Sequence, residues 1–196
     1  MVDINQQYYR DNAQYFFEST IDVDMNSLYQ FFLPMVKKGG KILDAGCGAG
    51  RDSKKFIELG FEVEAFDASE ELAALASNLI NKTVQVDRFQ SYKNDKTFDA
   101  IWACASLLHA PHQELANVFK SLTALLKNKG VFYCSFKYGN DQVERNGRIF
   151  TNLTESSFAQ LMIDLPLQVV KQWQTSDLRE GRESERWLNV ILRKGV

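Results

Sequence analysis

Residues Lys41–Arg51 read Lys-Ile-Leu-Asp-Ala-Gly-Cys-Gly-Ala-Gly-Arg, and this run constrains the fold more than any other. Ile42 and Leu43 suit a buried strand with Asp44 at its C-terminal end. Gly46, Gly48 and Gly50 then recur at every second residue, and a helix can open near Asp52. Such a turn offers bare backbone to a ligand that a Cβ would obstruct. Amides at the N-terminus of the following helix favour electronegative groups. The dinucleotide fingerprint G-x-G-x-x-G uses its third glycine to pack helix on strand. Counted from Gly46, that glycine would fall at the position of Arg51. The chain instead carries a carboxylate, Asp44, two residues before the first glycine.

The rest of the chain alternates strands and helices, which implies an α/β sandwich around a mostly parallel sheet. A helix is expected over Met25–Val36, with Leu28, Phe31, Phe32 and Met35 on one face. Strands follow at Lys41–Asp44, Glu62–Phe66, Thr83–Val86, Phe98–Ala103 and Val131–Phe136. Between them lie helices over Asp52–Leu59, from Ser69 through Leu79, and over Gln113–Leu126, the last broken by Gly130. Phe158–Ile163 reads as a helix, and Leu167–Thr175 and Arg186–Arg193 read as two strands. A pair joined by so short a loop must be antiparallel.

At 196 residues the chain is expected to form one domain, residues 1–196, with residues 1–24 as an arm. The net charge of −2 and the absence of a long basic run argue against broad nucleic-acid binding. No stretch reaches the roughly 18 apolar residues of a transmembrane helix, and Met1–Thr20 lacks the apolar core of a signal peptide. Cys47, Cys104 and Cys134 fit reduced thiols in a cytoplasm. No CxxC or paired-histidine spacing suggests a metal site. Expected partners are therefore a small molecule, not nucleic acid or membrane; oligomeric state is open.

The segments Ile-Leu-Asp-Ala-Gly-Cys-Gly-Ala-Gly-Arg-Asp-Ser, Val-Glu-Ala-Phe-Asp-Ala-Ser and Phe-Asp-Ala-Ile-Trp-Ala-Cys together resemble class I S-adenosylmethionine (SAM) methyltransferases. The first is similar to their motif I, Asp/Glu-x-Gly-x-Gly-x-Gly, and its Gly-Arg-Asp-Ser continuation is similar to the tellurite-resistance group. The resemblance implies a Rossmann-like three-layer sandwich. Its seven-stranded sheet would have the order 3-2-1-4-5-7-6 and end in an antiparallel hairpin. It implies SAM as cofactor, S-adenosylhomocysteine as product, and Asp44, Gly46 and Gly48 in the cofactor turn. Asp67, 23 residues after Asp44, ends the second strand where the family binds ribose hydroxyls, with Ala68 beside it. Asp67 also suits a helix cap before Ser69. Asp87, Arg88 and Phe89 fall where the family holds adenine; a solvated turn fits them as well. Ala103 ends the fourth strand, where open α/β sheets place ligands. The chain lacks Asn/Asp-Pro-Pro-Tyr, the pattern of enzymes methylating amino groups of adenine or glutamine.

Arg51 can pair with the SAM carboxylate, with an anionic acceptor, or with Glu70 or Glu71 at the surface. His109 is the candidate general base, against a packed histidine at a helix entrance. Residues 137–152, with Lys137, Arg145, Arg148 and Phe150, are expected to form a lid loop over the acceptor, against an ordinary exposed loop. Tyr8, Tyr9 and Tyr15 close over the cofactor or pack an arm on the core. The alternating charges of Leu178–Arg186 read as a solvated hairpin tip. The activity implied is methyl transfer to oxygen, nitrogen, sulfur or a metalloid of a small molecule. A binding module without turnover, or an RNA or protein methyltransferase, is the alternative.

Overall fold

The computed structural model describes residues 4–195, so Met1–Asp3 of the expected arm and Val196 lie outside the described residues. Helices α1 (Ile4–Asp11) and α2 (Ala13–Thr20) form the arm, and α3 (Asn26–Phe32) leads into a 3-10 turn, Leu33–Met35. Pro34 has no N–H to continue the α-helical ladder, so the expected helix to Val36 tightens there.

Five parallel strands follow: β1 (Lys41–Ala45), β2 (Glu62–Asp67), β3 (Gln85–Val86), β4 (Phe98–Ala103) and β5 (Leu126–Lys137). They alternate with α4 (Arg51–Glu58), α5 (Glu70–Ile80) and α6 (His112–Ala124). The hairpin β6 (Gln142–Arg145) and β7 (Arg148–Thr151) comes next, then α7 (Glu155–Met162), β8 (Leu167–Ser176) and β9 (Arg186–Lys194). The sheet order is β3-β2-β1-β4-β5-β9-β8. β9 is antiparallel to both β5 and β8. This is the expected 3-2-1-4-5-7-6 order, its last two numbers displaced by the extra hairpin.

Both faces of the sheet are covered. Leu43, Ile101, Ala103, Phe132 and Cys134 pack under Leu115, Val118, Phe119 and Leu122 of α6. Their strand neighbours Ile42, Ala100, Trp102, Val131 and Tyr133 face Leu28, Tyr29 and Phe32 of α3 and Phe56 of α4. The two-residue alternation of the pleat sorts them. Trp102 and Tyr133 stack at 3.9 Å between ring centroids.

Two expectations about residues 124–152 change. Leu126 already pairs with Phe98, and Val131 with Ala100, so residues 127–130 bulge between two paired positions of β5. The helix therefore ends at Ala124, before Gly130 is reached. The expected lid loop at 137–152 is largely the β6–β7 hairpin. Asn146 and Gly147 occupy its turn with φ of 51° and 69°, the left-handed pair that a two-residue hairpin turn requires.

Candidate active site

A cavity of about 240 Å³ opens at the C-terminal ends of β1, β2, β4 and β5. Its wall contains ten of the eleven residues singled out above: Asp44, Gly46, Gly48, Arg51, Asp67, Ala68, Asp87, Arg88, Phe89 and His109. Ala103 is the exception. It is fully buried in the α6 layer, because the pleat turns its side chain to the same face as Ile101. Cys104, Ala105 and Ser106 line the cavity in its place, Ala105 with a left-handed φ of 51°.

The glycine turn is set by protein packing as much as by room for a ligand. A Cβ on Gly46 would sit 2.6 Å from Cβ of Ser106 and 2.9 Å from the Phe89 ring. On Gly48 it would meet the Phe16 ring at 3.2 Å, and on Gly50 Cβ of Ala76 at 2.9 Å. All three adopt positive φ, between 54° and 79°. Ser106 locks its side of the contact by donating its hydroxyl to the Ala45 carbonyl at 2.7 Å.

Asp67 ties the two halves of the turn together. One carboxylate oxygen accepts the Gly48 amide at 2.8 Å and the other the Ser69 amide at 2.9 Å. Burial raises its pKa, and the amides of Ser69, Gly48 and Ala68 counter the rise. Ser69 in turn caps α5, its hydroxyl accepting the Leu72 amide at 3.2 Å. Asp87 is half-buried and accepts the Arg88 amide at 2.7 Å, and Ser91 donates its hydroxyl to the same oxygen. Phe89 packs edge-on against Phe66, leaving an apolar wall beside Asp67.

Beneath the turn lies a buried acid pair. Asp52 accepts from Tyr29 Oη at 2.6 Å, Trp102 Nε1 at 2.7 Å and two nitrogens of Arg51 at 2.6 and 3.1 Å. Burial alone would raise the Asp52 pKa. The Arg51 charge and these donors outweigh it and hold the group below the usual carboxylate range. Arg51 thus pairs with its own neighbour, not with Glu70 or Glu71, and its Nη1 donates to the Thr20 carbonyl at 3.3 Å. Asp44 is different. It is 2% exposed and accepts a hydroxyl from Ser53 at 2.6 Å, with no second donor among the described residues. Burial first, and the negative charge of Asp52 second, push its pKa up to about 8.

His109 also lines the cavity. Its Nδ1 lies 3.0 Å from the Ile149 carbonyl, which can only accept, so the neutral ring carries its proton on Nδ1. Nε2 then accepts the Tyr9 hydroxyl at 2.8 Å. Tyr9 is wedged edge-on against Tyr8, Phe16 and His109. Burial raises its pKa most, and nearby Arg148 pulls the other way. Tyr15, by contrast, is 66% exposed. The arm is fastened by Asn5, whose side chain accepts the Ile149 amide at 2.6 Å, and by Gln6, which donates to the Ala68 carbonyl at 3.3 Å.

Arg148 comes from β7 and is 7% exposed. Its guanidinium stands over the Tyr8 ring at 4.2 Å and 5.1 Å from the Phe150 centroid. Burying an ion costs several kcal/mol even after relaxation. A cation–π contact offsets about 0.5–2 kcal/mol, and a hydrogen bond to the Tyr9 hydroxyl adds to it, yet neither supplies an opposite charge. The tip after β8 also departs from expectation. Buried Asp177 accepts from Arg179 Nε at 2.9 Å and Nη2 at 2.5 Å and from Trp187 Nε1 at 3.1 Å. Asp177, Leu178, Arg179 and Arg182 line the cavity. Within the run Arg179 pairs with Asp177 and Arg182 with Glu185, while Glu180, Glu183 and Arg186 are exposed as expected of a solvated tip.

Several of these residues carry no local mark in the sequence. Phe16, Asn5 and Gln6 reach the cavity from more than 30 positions away, and only the Asn146-Gly147 turn signals where Arg148 points its strand.

A family profile described as a methyltransferase domain matches residues 17–174. The ubiquinone biosynthesis O-methyltransferase of Xanthomonas campestris pv. campestris is 35% identical over 104 residues, covering 50% of this chain and 43% of the relative. The sterol 24-C-methyltransferase ERG6B of Gibberella zeae is 29% identical over 153 residues, 69% of this chain and 39% of the relative. The chain spans about half the length of the curated relatives it matches. Among solved structures, the Burkholderia thailandensis 1,6-didemethyltoxoflavin-N1-methyltransferase, bound to 1,6-didemethyltoxoflavin and S-adenosylhomocysteine, superposes with a TM-score of 0.75. It is 20% identical, with 97% of this chain and 85% of that chain covered.

Proposed function

Because the chain belongs to the methyltransferase-domain family, we propose that it moves the sulfonium methyl of SAM to a small-molecule acceptor by in-line displacement. What carries the reading is one arrangement. The glycine turn, the Asp67 carboxylate and the Phe89 wall border the same cavity as an ionisable Tyr9–His109 pair. A cofactor half and an acceptor half thus share one space. Among the described residues, no helix is long and apolar enough to cross a membrane.

The residues fit SAM. Asp44 is a buried carboxyl with a single protein donor, suited to a cationic group. We read Asp67 as the acceptor of the ribose hydroxyls and Phe89, Asp87 and Arg88 as the adenine side, since all four line this cavity. When bound, SAM supplies a methyl already activated by its positive sulfur, so orientation and exclusion of water do most of the work. The chain contributes a cavity partly covered by α1 and a route for the acceptor's proton. Tyr9 and His109 both line the cavity, and the Tyr9 hydroxyl occupies His109 Nε2, so the acceptor's proton passes to the Tyr9 oxygen as the Tyr9 proton moves to Nε2. The Ile149 carbonyl, already bonded to Nδ1–H, steadies the imidazolium that results. The reading is tested with methyl-labelled SAM and a small-molecule extract. Label transferred to a low-mass product supports it, whereas tight SAM binding with no transfer assigns the chain to binding alone.

Asp67→Ala should weaken SAM by roughly 1.5–3 kcal/mol, the worth of hydrogen bonds to a charged group, or about 10- to 150-fold. It also orphans the Gly48 and Ser69 amides, so the melting temperature should fall. Asp67→Asn retains an acceptor and should recover part of the stability without the affinity. Calorimetric affinity equal to wild type in the alanine variant refutes the ribose assignment.

Asp44 gives a pH dependence. Its carboxyl is protonated below about 8, and a cation beside it favours the charged form. SAM must therefore displace a proton at pH 7, and affinity should weaken about tenfold per unit as pH falls below that value. Titrations at pH 7 in phosphate and in Tris should give binding enthalpies that differ by the buffers' own ionisation heats. Equal enthalpies would remove Asp44 from the cofactor's cationic side, and Asp44→Asn should abolish any difference.

A further inference from the structure

We propose that Arg148 is the receptor for a negatively charged group on the methyl acceptor, which makes the substrate a small planar carboxylate or comparable oxyanion. The inference rests on the methyl-transfer reading and narrows it. Five other cations among the described residues line the cavity: Arg51, Lys137, Arg179 and Arg182 have the carboxylate partners Asp52, Glu185, Asp177 and Glu185 respectively, and Arg88 is exposed and donates to Gln6 Oε1 at 2.5 Å. Arg148 is the most buried of the cavity's arginines, yet it has no carboxylate partner among the described residues. Its buried Nε makes no hydrogen bond. A guanidinium in that position is a planar fork of donors that a carboxylate or phosphate fits with two parallel bonds.

The surroundings specify the rest of the ligand. Phe150 is shared by two cations, with Arg148 at 5.1 Å and Lys137 Nζ at 4.8 Å from its centroid. Tyr9, the first group of the proposed proton route, adjoins the same guanidinium, with Arg148 5.8 Å from its centroid, and His109 packs on Phe150 at 5.1 Å between centroids. An anion held on Arg148 is thereby anchored beside the groups that would receive a proton from another part of the same molecule. Tyr9, Phe89, Phe150 and Trp187 are among the lining side chains, so a flat, partly apolar body suits the space beside the anchor. Holding Tyr8 against β7 is a purely structural use of Arg148, and it predicts no preference among ligands.

The test uses the full chain saturated with S-adenosylhomocysteine and titrated with matched probes: salicylate against salicylamide, indole-3-acetate against its amide, and phenyl phosphate against phenol. Wild type should prefer the anionic member of at least one pair by about tenfold or more. Arg148→Met should erase that preference at unchanged S-adenosylhomocysteine affinity. Arg148→Lys, which keeps the charge but loses the fork, should retain part of it and also guards against misfolding of the methionine variant. Equal binding of charged and neutral members by wild type overturns the proposal, as does an undiminished preference in Arg148→Met. Loss of S-adenosylhomocysteine affinity in Arg148→Met, with the anion preference intact, reassigns the residue to the cofactor. Should wild type bind anionic probes through Arg148 but not S-adenosylhomocysteine or SAM, the anion site stands and the methyl-transfer reading fails.

Discussion

Gly48→Val is expected to abolish detectable SAM binding while leaving the α/β circular dichroism spectrum in place. Three costs act together at this residue. Its φ of 54° is a region a β-branched side chain enters only with strain, on the order of 1–3 kcal/mol. Relieving that strain swings the Gly48 amide away from the Asp67 carboxylate it now meets at 2.8 Å. The new side chain also enters the space of Phe16, whose ring is 3.2 Å from where a Cβ would lie. The turn, the carboxylate and the cover over the turn are thus disturbed by one substitution, whereas the sheet beneath is not. Gly48→Ala should lie between the two, since it adds one methyl and no branching. Calorimetry with S-adenosylhomocysteine settles the matter: micromolar affinity in a folded Gly48→Val would move the cofactor away from this turn.

The second large effect is expected at His109. His109→Ala should lower the single-turnover methyl-transfer rate by about 10²–10⁴-fold, with little change in SAM affinity, because both ring nitrogens are engaged by Tyr9 and Ile149 and not by the glycine turn. Tyr9→Phe should fall by a similar factor. The phenol is held by three aromatic neighbours and its hydroxyl occupies Nε2, so the proton has to cross it. If His109 only packs, both variants should melt earlier yet turn over at the wild-type rate when folded. A His109→Ala rate within about twofold of wild type across the pH range removes the histidine from the chemistry.

Much of this site was legible because its first half is local. Asp44, the three glycines and Asp52 are consecutive, and Asp67 ends the next strand. Spacing alone therefore brings them together. Asp99, at the start of β4, accepts the Lys41 amide and pairs with Lys127 away from the cavity. Ala103 was misassigned for a physical reason. Strands of a parallel sheet covered on both faces are apolar throughout, so Ile101–Ala103 and Ala100–Trp102 look alike until the pleat is seen. The β6–β7 hairpin was readable from Asn146-Gly147, a strong short-range turn signal, but the many charges around it obscured it. The contacts of Phe16 with Gly48, Tyr9 with His109 and Arg148 with Tyr8 have no sequence signature, since tertiary packing alone makes them neighbours.

The contacts that close the acceptor side join parts of the chain that lie far apart: Tyr9 and His109 are 100 residues apart, and Asn5 and Ile149 are 144. The entropy of closing such loops grows only with the logarithm of their length, about 0.6 kcal/mol per doubling. Distance along the chain therefore costs this corner little stability. It costs time instead, because non-local contacts wait for the elements that carry them. The helix α1 buries no residue of its own and contributes its polar side chains to partners that exist only once β7 has formed. The glycine turn draws on shorter separations, 19 residues from Gly48 to Asp67 and 61 from Ala45 to Ser106. The proposed proton route waits on the longest-range contacts of the site, because Tyr9 meets His109 and Asn5 meets Ile149 only once both ends of the chain are in place.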